Sequence, residues 1–221
     1  MAAHKVDDVV SGDQVRLMGR PRAFQEEQVI GRALEVFWAR GYQRTTVVEL
    51  TSATGLAAQS LYGAFGNKQR LFRRALERYA AEGRVAVREA LESGETPLAG
   101  IRAYLDRQVT LACEGHRQRG CLMANTALEL LPGDAAVQAA VGTNFADIHS
   151  ELSNAVRRAQ AVGEIDRQRS AGVIGWQLLV LVEGLQVLGR TAGRDELQAV
   201  VIASLDDLSA TRPSAQSAAR D

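Results

Sequence analysis

The sequence has few of the residues that build disulfide frameworks or metal sites. Its 221 residues include only two cysteines and three histidines. Cys113 and Cys121 are too few for a disulfide framework, and no CxxC pair is present. His4, His116 and His149 have no metal-ligand spacing with one another or with the cysteines. We therefore predict that the protein uses no metal and no cofactor.

Aromatic residues and prolines are also scarce, at 5% of the chain and four residues respectively. Strand-rich proteins favour aromatic and β-branched side chains, so this scarcity argues against a sheet. Apolar residues still make up 46% of the chain, and a chain of this length can bury a sizeable core. The composition therefore predicts an all-α protein of one or two domains.

A long uninterrupted apolar run is missing as well. The most apolar stretch, residues 173–188, contains Gln177, Glu183 and Gln186, which argues against a membrane span. The amino terminus has acidic residues where a signal peptide needs an apolar segment. We therefore predict a cytoplasmic protein with no membrane partner.

The chain has no net charge, because 26 basic residues balance 26 acidic ones, but the two signs are unevenly distributed. Residues 16–74 contain ten Lys or Arg residues and four Glu residues, a net charge of +6, and the remainder carries −6. A basic amino-terminal segment followed by an acidic body predicts one face for nucleic acid and a body kept away from it.

Apolar spacing, interrupted by glycine and polar residues, predicts a chain of helices. We place them at residues 24–40, 47–53, 57–65, 68–91, 96–113, 120–131, 134–162, 166–190 and 194–209. Four regions follow: a mobile extension with a basic arm (1–19), a helix-turn-helix domain (20–67), a helical ligand-binding and dimerisation domain (68–210), and a disordered tail (211–221). Met18 precedes Gly-Arg-Pro-Arg, which suggests a second translation start. Mass spectrometry that finds only the form beginning at Met1 would refute that hypothesis.

The most specific pattern lies in residues 45–72, and it predicts a helix-turn-helix followed by one more helix. Thr46 and Glu49 fit a capping box at the start of the first helix. Gly55 supplies the turn to the second helix, and Asn67 caps the helix that follows. Such a unit places its second helix in the major groove of DNA.

Residues at the start of that second helix are suited to reading bases. Gln59 can pair with an adenine edge, Ala58 can contact a thymine methyl group, and Ser60 can bond a base or a phosphate. Phosphate contacts are predicted for Thr45, Thr46, Tyr62 and Lys68. Arg20 and Arg22 belong to a basic arm that either enters the minor groove or stays a solvated tail, and the sequence favours neither reading.

The residues of this region recur at fixed spacing as Gly41-Tyr42, Thr45-Thr46, Gly55-Leu56-x-x-x-Ser60-Leu61-Tyr62-x-x-Phe65 and Asn67-Lys68-x-x-Leu71-Phe72. This pattern, over residues 24–75, resembles the TetR family of bacterial transcriptional repressors. The resemblance implies an all-helical homodimer with one helix-turn-helix per subunit and a ligand-binding body. It also implies a palindromic DNA operator and a small-molecule inducer that triggers release.

Two positions depart from the family pattern. Ala57 stands where a capping Ser or Thr is common, and Gly63 stands where a larger residue is common. Each departure costs the helix about 1 kcal/mol. We therefore predict that the second helix is loose in the absence of DNA.

The last two helices carry apolar stripes that we predict to form the dimer interface. The residues of these stripes are Ile174, Leu178, Leu181, Leu185, Leu197, Val201, Leu205 and Leu208. Burial inside one subunit is the alternative. Dimerisation is favoured because a two-fold operator requires two DNA-binding domains.

A ligand pocket is predicted in the body from aromatic, polarisable or hydrogen-bonding residues on otherwise aliphatic helices. The candidates are Tyr104, Cys121, Met123, Asn125, Phe145, His149 and Trp176. The mixture suggests an apolar ligand with a polar handle, and core packing is the alternative for each residue.

Cys121 supports a second prediction. The run from Arg119 to Glu129 is similar to the Gly-Cys-Leu-containing start of the sixth helix in one TetR subgroup, and some relatives of that subgroup sense oxidants or electrophiles through cysteine. A thiol near a helix amino terminus, close to Arg117 and Arg119, would have a lowered pKa and raised reactivity. The alternative is a small buried apolar residue. A second form of the sensing hypothesis is a switch that uses Cys113 and Cys121 together.

Two other functional classes have weaker support from the sequence. An enzyme using the Cys121 thiol with His116 or His149 as base would need a third group to orient that base, and no recognisable motif supplies one. We therefore predict that the protein is not an enzyme. A helical adaptor without DNA binding is the other class, and Gln59 and Lys68, together with the basic amino-terminal segment, argue against it.

Overall fold

The computed structural model describes residues 19–113 and 119–209, with the backbone alone for residues 19–24. The helices in these ranges are α1 Gly19–Arg40, α2 Val47–Thr54, α3 Ala58–Phe65, α4 Lys68–Glu92, α5 Pro97–Cys113, α6 Leu122–Leu130, α7 Ala135–Ala161, α8 Ala171–Leu188 and α9 Arg194–Leu208. The strand-like pairing in the same ranges is one isolated bridge between Ile165 and Ser209. The all-α prediction is confirmed.

Helix boundaries agree with the sequence-based expectation to within about three residues, except at two amino termini. Helix α1 begins at Gly19 and not near residue 24, so the backbone of Arg20 and Arg22 is helical. Helix α8 begins at Ala171 and not near residue 166. The Met18 start and the tail from residue 211 lie outside the described residues.

Helices α1, α2, α3 and the first half of α4 pack around one apolar cluster, called here the head cluster. The Phe37 ring meets Phe72 edge to face, with ring centroids 4.9 Å apart. Leu50 of α2 and Leu61 of α3 are fully buried against them. Because burial of such a side chain stabilises the fold by about 1.5–3 kcal/mol, these contacts hold both short helices in place. The helix-turn-helix therefore shares one apolar core with α1 and the start of α4.

A second cluster forms the core of the body from the rest of α4 and from α5, α7, α8 and α9. Helix α6 packs elsewhere, because Cys121 at its start, Leu122 and Met123 all belong to the head cluster. A helix that the sequence assigns to the body is therefore part of the core of the DNA-binding region.

The predicted dimer-interface residues are mostly buried within one subunit. Seven of the eight are at most 5% exposed: Ile174, Leu178, Leu185, Leu197, Val201, Leu205 and Leu208. Leu181 is partly buried against the same cluster. For these seven buried residues the interface prediction is wrong, because helices α5 and α7 cover the stripe that the sequence pattern reveals. For Leu181 it stays a prediction.

The opposite face of these two helices carries the exposed apolar surface. On α8 five apolar residues are 50–69% exposed, namely Val173, Trp176, Val180, Val187 and Leu188, and on α9 Val200 and Ile202 are exposed. Helix α8 is also long and apolar enough to cross a membrane by length and composition. That test is weak for a single helix, because the core helix of a globular protein passes it too.

Candidate nucleic-acid interface and adjoining cavity

The helix-turn-helix begins with a complete capping box. The Thr46 backbone N–H donates to Glu49 Oε2 at 2.8 Å, and the Glu49 N–H donates to Thr46 Oγ1 at 3.3 Å. These bonds to Thr46 hold the pKa of the Glu49 carboxyl below its usual value. Glu49 also forms an ion pair with Arg40 at 2.9 Å, which joins the end of α1 to α2.

The turn between α2 and α3 depends on a glycine. Gly55 has a φ of 74°, a left-handed conformation that favours glycine, and its N–H donates to the Thr51 carbonyl at 2.9 Å. Ala57 then occupies the N-cap of α3 and provides no side-chain cap. The structure thus contains the predicted turn at Gly55, and α3 lacks a side-chain cap, as the sequence predicted from Ala57.

Helix α3 presents one side to solvent and buries the other. Ala58, Gln59 and Ser60 are exposed, whereas Leu61 and Phe65 are buried in the head cluster. The three residues predicted to read bases therefore share an uncovered edge at the amino end of α3. Gly63 lies on the open side too, since a Cβ built there would meet no atom within 4 Å.

The predicted phosphate contacts need one correction. Thr45 is 2% exposed, and its hydroxyl donates to the Gly41 carbonyl at 2.6 Å. The Thr45 hydroxyl is not available to a phosphate, because it is buried and already donates a hydrogen bond in the turn after α1. The Thr46 hydroxyl is exposed but donates to Glu49 Oε2 at 3.0 Å, within the capping box.

The other predicted phosphate ligands are differently placed. Lys68 Nζ lies 4.5 Å from the centre of the Tyr42 ring and donates to the Gln43 carbonyl at 3.4 Å. Its ammonium group is thus held beside the loop that leads into α2. Tyr62 is half-buried against the head cluster. Arg20 lies in the first turn of α1 with Arg22 soon after it, and their side chains are outside the described residues.

Two residues in this region, Val48 and Glu129, were not predicted from the sequence. Val48 is 75% exposed beside the N-cap of α2, an apolar side chain on a polar surface. Glu129 of α6 accepts the backbone N–H of Tyr42 at 2.9 Å and that of Gln43 at 2.7 Å. No local pattern around Glu129 predicts this contact, because the two partners are 87 and 86 residues apart in the chain.

Gly41 makes the Glu129 contact sterically feasible. Its φ is 80°, and a Cβ at this position would lie 2.7 Å from Glu129 Oε2. The glycine that follows α1 therefore permits the close approach of the α6 carboxylate to the loop. We call the Glu129 contacts with Tyr42 and Gln43 the α6 latch.

Two further contacts join α1 to the segment before α6. Trp38 Nε1 donates to the Gly120 carbonyl at 2.9 Å, and Arg119 forms an ion pair with Glu35 at 2.6 Å. The Arg119 guanidinium also lies 5.8 Å from the centre of the Trp38 ring. The second half of α1 is thus attached to the body at several points.

A cavity of about 440 Å³ lies beside these contacts, within the size range of small-molecule sites. Helices α1, α4, α5, α7 and α8 line it, together with Arg119 and Cys121. Two predicted ligand residues, Tyr104 and Cys121, are in its wall, and so is Trp38 of α1. The cavity therefore touches the DNA-binding region directly.

The other predicted ligand residues do not line this cavity. Met123 is fully buried in the head cluster, and Phe145 packs between the two clusters. Asn125 Nδ2 donates to the Arg119 carbonyl at 2.7 Å and lines a separate groove between α1 and α6. Their prediction as ligand contacts in this pocket is wrong, because helix periodicity does not distinguish core from cavity.

His149 and Trp176 form a surface pair. Their rings stack with centroids 4.4 Å apart, and Trp176 is 50% exposed. His149 Nε2 also lies 3.0 Å from the Gly172 carbonyl and 3.2 Å from Ser153 Oγ. The imidazole is thus held at the junction of α7 and α8, outside the Cys121 cavity, so it is not positioned as a base for that thiol.

The surroundings of Cys121 shift the pKa of its thiol in the direction opposite to the one predicted. The residue is buried at the N-cap of α6, where Sγ accepts the Ala124 N–H at 3.5 Å. Burial, and next the negative charge of Glu183, raise the pKa of the thiol to about 12. The prediction of a lowered pKa is wrong, because these effects outweigh the helix terminus and Arg119 is paired with Glu35. Arg117 lies outside the described residues.

Glu183 and Tyr79 are two further polar residues of the cavity wall. Burial raises the pKa of the Glu183 carboxyl, although a hydrogen bond from the Cys121 thiol partly offsets the increase. Burial also raises the pKa of Tyr79, and its hydroxyl accepts the Leu122 N–H at 3.4 Å. Among the described residues no group of three or more His, Cys, Asp or Glu side chains is arranged to hold a metal ion.

Comparisons with known proteins agree with this architecture. Residues 29–75 match the family described as bacterial regulatory proteins, tetR family, and residues 97–205 match the family described as tetracyclin repressor-like, C-terminal domain. The chain is 31% identical over 149 residues to the uncharacterized HTH-type transcriptional regulator YezE of Bacillus subtilis, covering 67% of this chain and 77% of the relative. It is 28% identical over 176 residues to the HTH-type transcriptional repressor ComR of Escherichia coli, covering 78% and 82%.

Solved structures give the same result. A cysteine mutant of the TetR family transcriptional regulator CifR, complexed with 26 bp double-strand operator DNA, superposes with a TM-score of 0.74 at 30% identity and covers 85% of this chain and 98% of that one. Reduced NemR of E. coli has a TM-score of 0.76 at 19% identity, with coverage of 85% and 98%, and shows the shared fold alone.

Proposed function

The chain belongs to the TetR family of DNA-binding transcriptional regulators, and from that membership we propose that it is a homodimeric repressor that binds a palindromic operator and leaves it when a small molecule enters the cavity. The observation that carries the proposal is that the cavity wall and the DNA-binding region share helix α1. Leu34, Glu35 and Trp38 line the cavity, while the same helix ends at the latched loop that precedes α2.

DNA reading is assigned to the uncovered edge of α3. Gln59 and Ser60 supply hydrogen-bonding groups, and Ala58 supplies a methyl group for a thymine. Lys68, held near Gln43, and the Thr46 end of α2 are assigned to the phosphates, which fix register without choosing sequence. Exposed Val48 lies beside Thr46 and is suited to an apolar contact with a sugar or a thymine methyl group.

Dimerisation is assigned to the exposed face of α8 and α9 in place of the buried stripes. Val173, Trp176 and Val180 follow one another at helical spacing on α8, and Val200 and Ile202 are exposed apolar residues of α9. Monomeric proteins rarely leave large apolar patches in water. Two such faces related by a two-fold axis would form a four-helix bundle and place two copies of α3 on one operator.

Release is assigned to non-covalent ligand binding. A guest that moves Trp38 or Arg119 acts on groups that join α1 to the start of α6, and the α6 latch transmits the shift to the loop before α2. We favour this over a cysteine sensor because the Cys121 thiol is buried and protonated at neutral pH. The relatives compared are transcriptional regulators, and a cytoplasmic site of action is part of the proposal because a bacterial repressor acts where its operator DNA lies.

The test begins with selection of bound sites from genomic DNA, followed by fluorescence anisotropy on the selected operator. We expect a palindromic site, two subunits per site and a steep loss of affinity with salt. Gln59→Ala should relax the preference for one base position, at a cost of about 1–3 kcal/mol for the preferred site.

Lys68→Ala is the matched comparison, because it should weaken all sequences alike and reduce the salt dependence by about one charge. If neither substitution changes binding, the assignment of α3 as the reading helix is wrong. If the selected site has no two-fold symmetry and one subunit binds it, the homodimeric arrangement is wrong.

A further inference from the structure

Two residues that line the cavity beside Cys121, Glu183 and Asn144, each have a polar atom without a hydrogen-bond partner. Glu183 Oε2 and Asn144 Nδ2 are both shielded from solvent, and neither makes a hydrogen bond with the described residues. Asn144 as a whole is 3% exposed. Leaving such a group unsatisfied destabilises the folded chain, and more so if the group is charged. A guest that satisfied both atoms would recover that free energy on binding.

The two atoms specify complementary groups on the guest. A carboxylate oxygen accepts hydrogen bonds, so Glu183 Oε2 requires a donor. An amide nitrogen donates, so Asn144 Nδ2 requires an acceptor. Both residues line the cavity while these two atoms are shielded from solvent, so a guest would reach them after rotation about the side-chain bonds of Glu183 and Asn144.

Glu183 is also the one acidic residue of the cavity wall that has no ion pair among the described residues. Glu35 is paired with Arg119 at 2.6 Å, and Glu82 with Arg78 at 2.7 Å. Arg107 is the remaining cation of the wall and is exposed on α5. Arg107 forms no ion pair with Glu183. The largely buried Glu183 carboxyl is therefore the acidic group of the wall whose negative charge has no paired positive charge.

The rest of the wall is suited to an aromatic body. Trp38, Tyr79 and Tyr104 come from three different helices and line the same space. Aromatic faces attract both flat rings and cations. An aromatic group joined to a cation therefore matches the side chains present better than an anion or a plain hydrocarbon.

We propose that this cavity binds a compact aromatic amine in its protonated form, with the ammonium group donating to Glu183 and an oxygen of the guest accepting from Asn144. The inference rests on the proposed function, because it names the chemical class of the small molecule that would enter the cavity. The amine supplies the countercharge that the buried carboxyl lacks, and the Cys121 thiol is a neutral neighbour.

Three probes of matched shape test the charge preference by isothermal titration calorimetry on the full chain at pH 7. They are tyramine, which carries an ammonium group, tyrosol, which carries a hydroxyl, and 4-hydroxyphenylacetate, which carries a carboxylate. We expect tyramine to bind at least about 10-fold more tightly than tyrosol, and the carboxylate to bind most weakly. No detectable binding of tyramine, or tighter binding of the carboxylate, would overturn the proposal without recourse to any variant.

Glu183→Gln then tests the assigned partner, because it removes the charge and keeps the shape. The preference for tyramine over tyrosol should fall to within about 2-fold, while tyrosol affinity is unchanged. Glu82→Gln is the matched control on the same wall, where the carboxyl already has Arg78 as its partner. Equal loss in both variants, or no loss in Glu183→Gln, would overturn the assignment of Glu183.

Operator release measured in parallel separates this inference from the proposed function. If tyramine binds through Glu183 but operator affinity is unchanged, the ligand assignment stands and ligand-driven release is wrong. If tyrosol or the carboxylate releases the operator and tyramine is not preferred, ligand-driven release stands and the amine assignment is overturned.

Discussion

The α6 latch makes a specific prediction about Glu129. Its carboxylate accepts the N–H groups of Tyr42 and Gln43 in the loop between α1 and α2. In Glu129→Gln, one side-chain oxygen can still accept one N–H, but the new amide group presents a donor to the other. The charge that strengthens both bonds is also lost. We expect the loop to detach from α6 far more often in this variant.

The size of the effect follows from the two bonds. A hydrogen bond to a charged group contributes about 1.5–3 kcal/mol net. The Tyr42 bond is part-buried and the Gln43 bond is exposed, so water competes for the second, and the lower end of the range applies to the first. A loss of about 2 kcal/mol corresponds to a roughly 30-fold shift in the equilibrium between attached and detached loop.

Native-state hydrogen exchange measures that equilibrium directly. The amides of Tyr42 and Gln43 should exchange about 10- to 30-fold faster in Glu129→Gln, and operator affinity should fall by no more than the same factor, since DNA can reorder the loop. Glu89→Gln is the control, because Glu89 is an exposed carboxyl on α4. Unchanged exchange at both amides, or equal effects in the control, would refute the latch.

Three further outcomes are expected. Val180→Glu should convert the proposed dimer to monomers in analytical ultracentrifugation without unfolding them, because Val180 is 69% exposed in the subunit. Iodoacetamide at pH 7.5 should label the half-buried Cys113 well before Cys121, as read from peptide masses, because burial raises the pKa of the Cys121 thiol to about 12. Gly63→Ala should stabilise α3 by about 1 kcal/mol, a rise in Tm of about 2–4 °C, because a Cβ there meets no atom within 4 Å.

Each of these has a contradicting result. A stable dimer in Val180→Glu, or dissociation in the matched surface variant Val85→Glu on α4, would remove α8 from the interface. Labelling of both cysteines at one rate in the folded chain would contradict a buried, protonated Cys121 thiol. A lower Tm in Gly63→Ala would mean that the open side of α3 is occupied.

The Cys121 thiol also has a signed effect on stability. Its pKa in the folded chain, about 12, lies above its ordinary value of 9.0. The folded state therefore binds more protons than the unfolded state between those values. The associated stability is fully present below pH 9 and is lost as pH rises toward 12. Denaturant unfolding at pH 8 and pH 10.5 should show a smaller pH-dependent loss in Cys121→Ala than in the unmodified chain.

Local features of the DNA-binding region were predictable because their causes are local. The capping box joins residues three positions apart, Gly55 determines the turn by its own backbone freedom, and Asn67 accepts the N–H of Arg70 at 2.8 Å. Apolar spacing likewise predicts which side of α3 is buried, since Leu61 and Phe65 must face the same core.

The body was less predictable, because an apolar stripe reveals only that one face of a helix is covered. The sequence pattern of α8 does not distinguish a partner subunit from α5 and α7, and the structure places Leu178 and Val201 in the internal core. In the same way, the position of Cys121 at a helix start predicts a low pKa, but burial beside Glu183 raises it.

By itself, the sequence determined the all-α class, the helix-turn-helix with its caps and turn, and the exposed edge that carries Gln59. These depend on bonds and periodicities within a few residues of one another. Tertiary structure alone decided that Thr45 is buried, that Glu129 holds the loop before α2, and that Glu183 and Asn144 line one cavity with Trp38. Those relations join residues on different helices, and only the packing of the helices brings their atoms within reach.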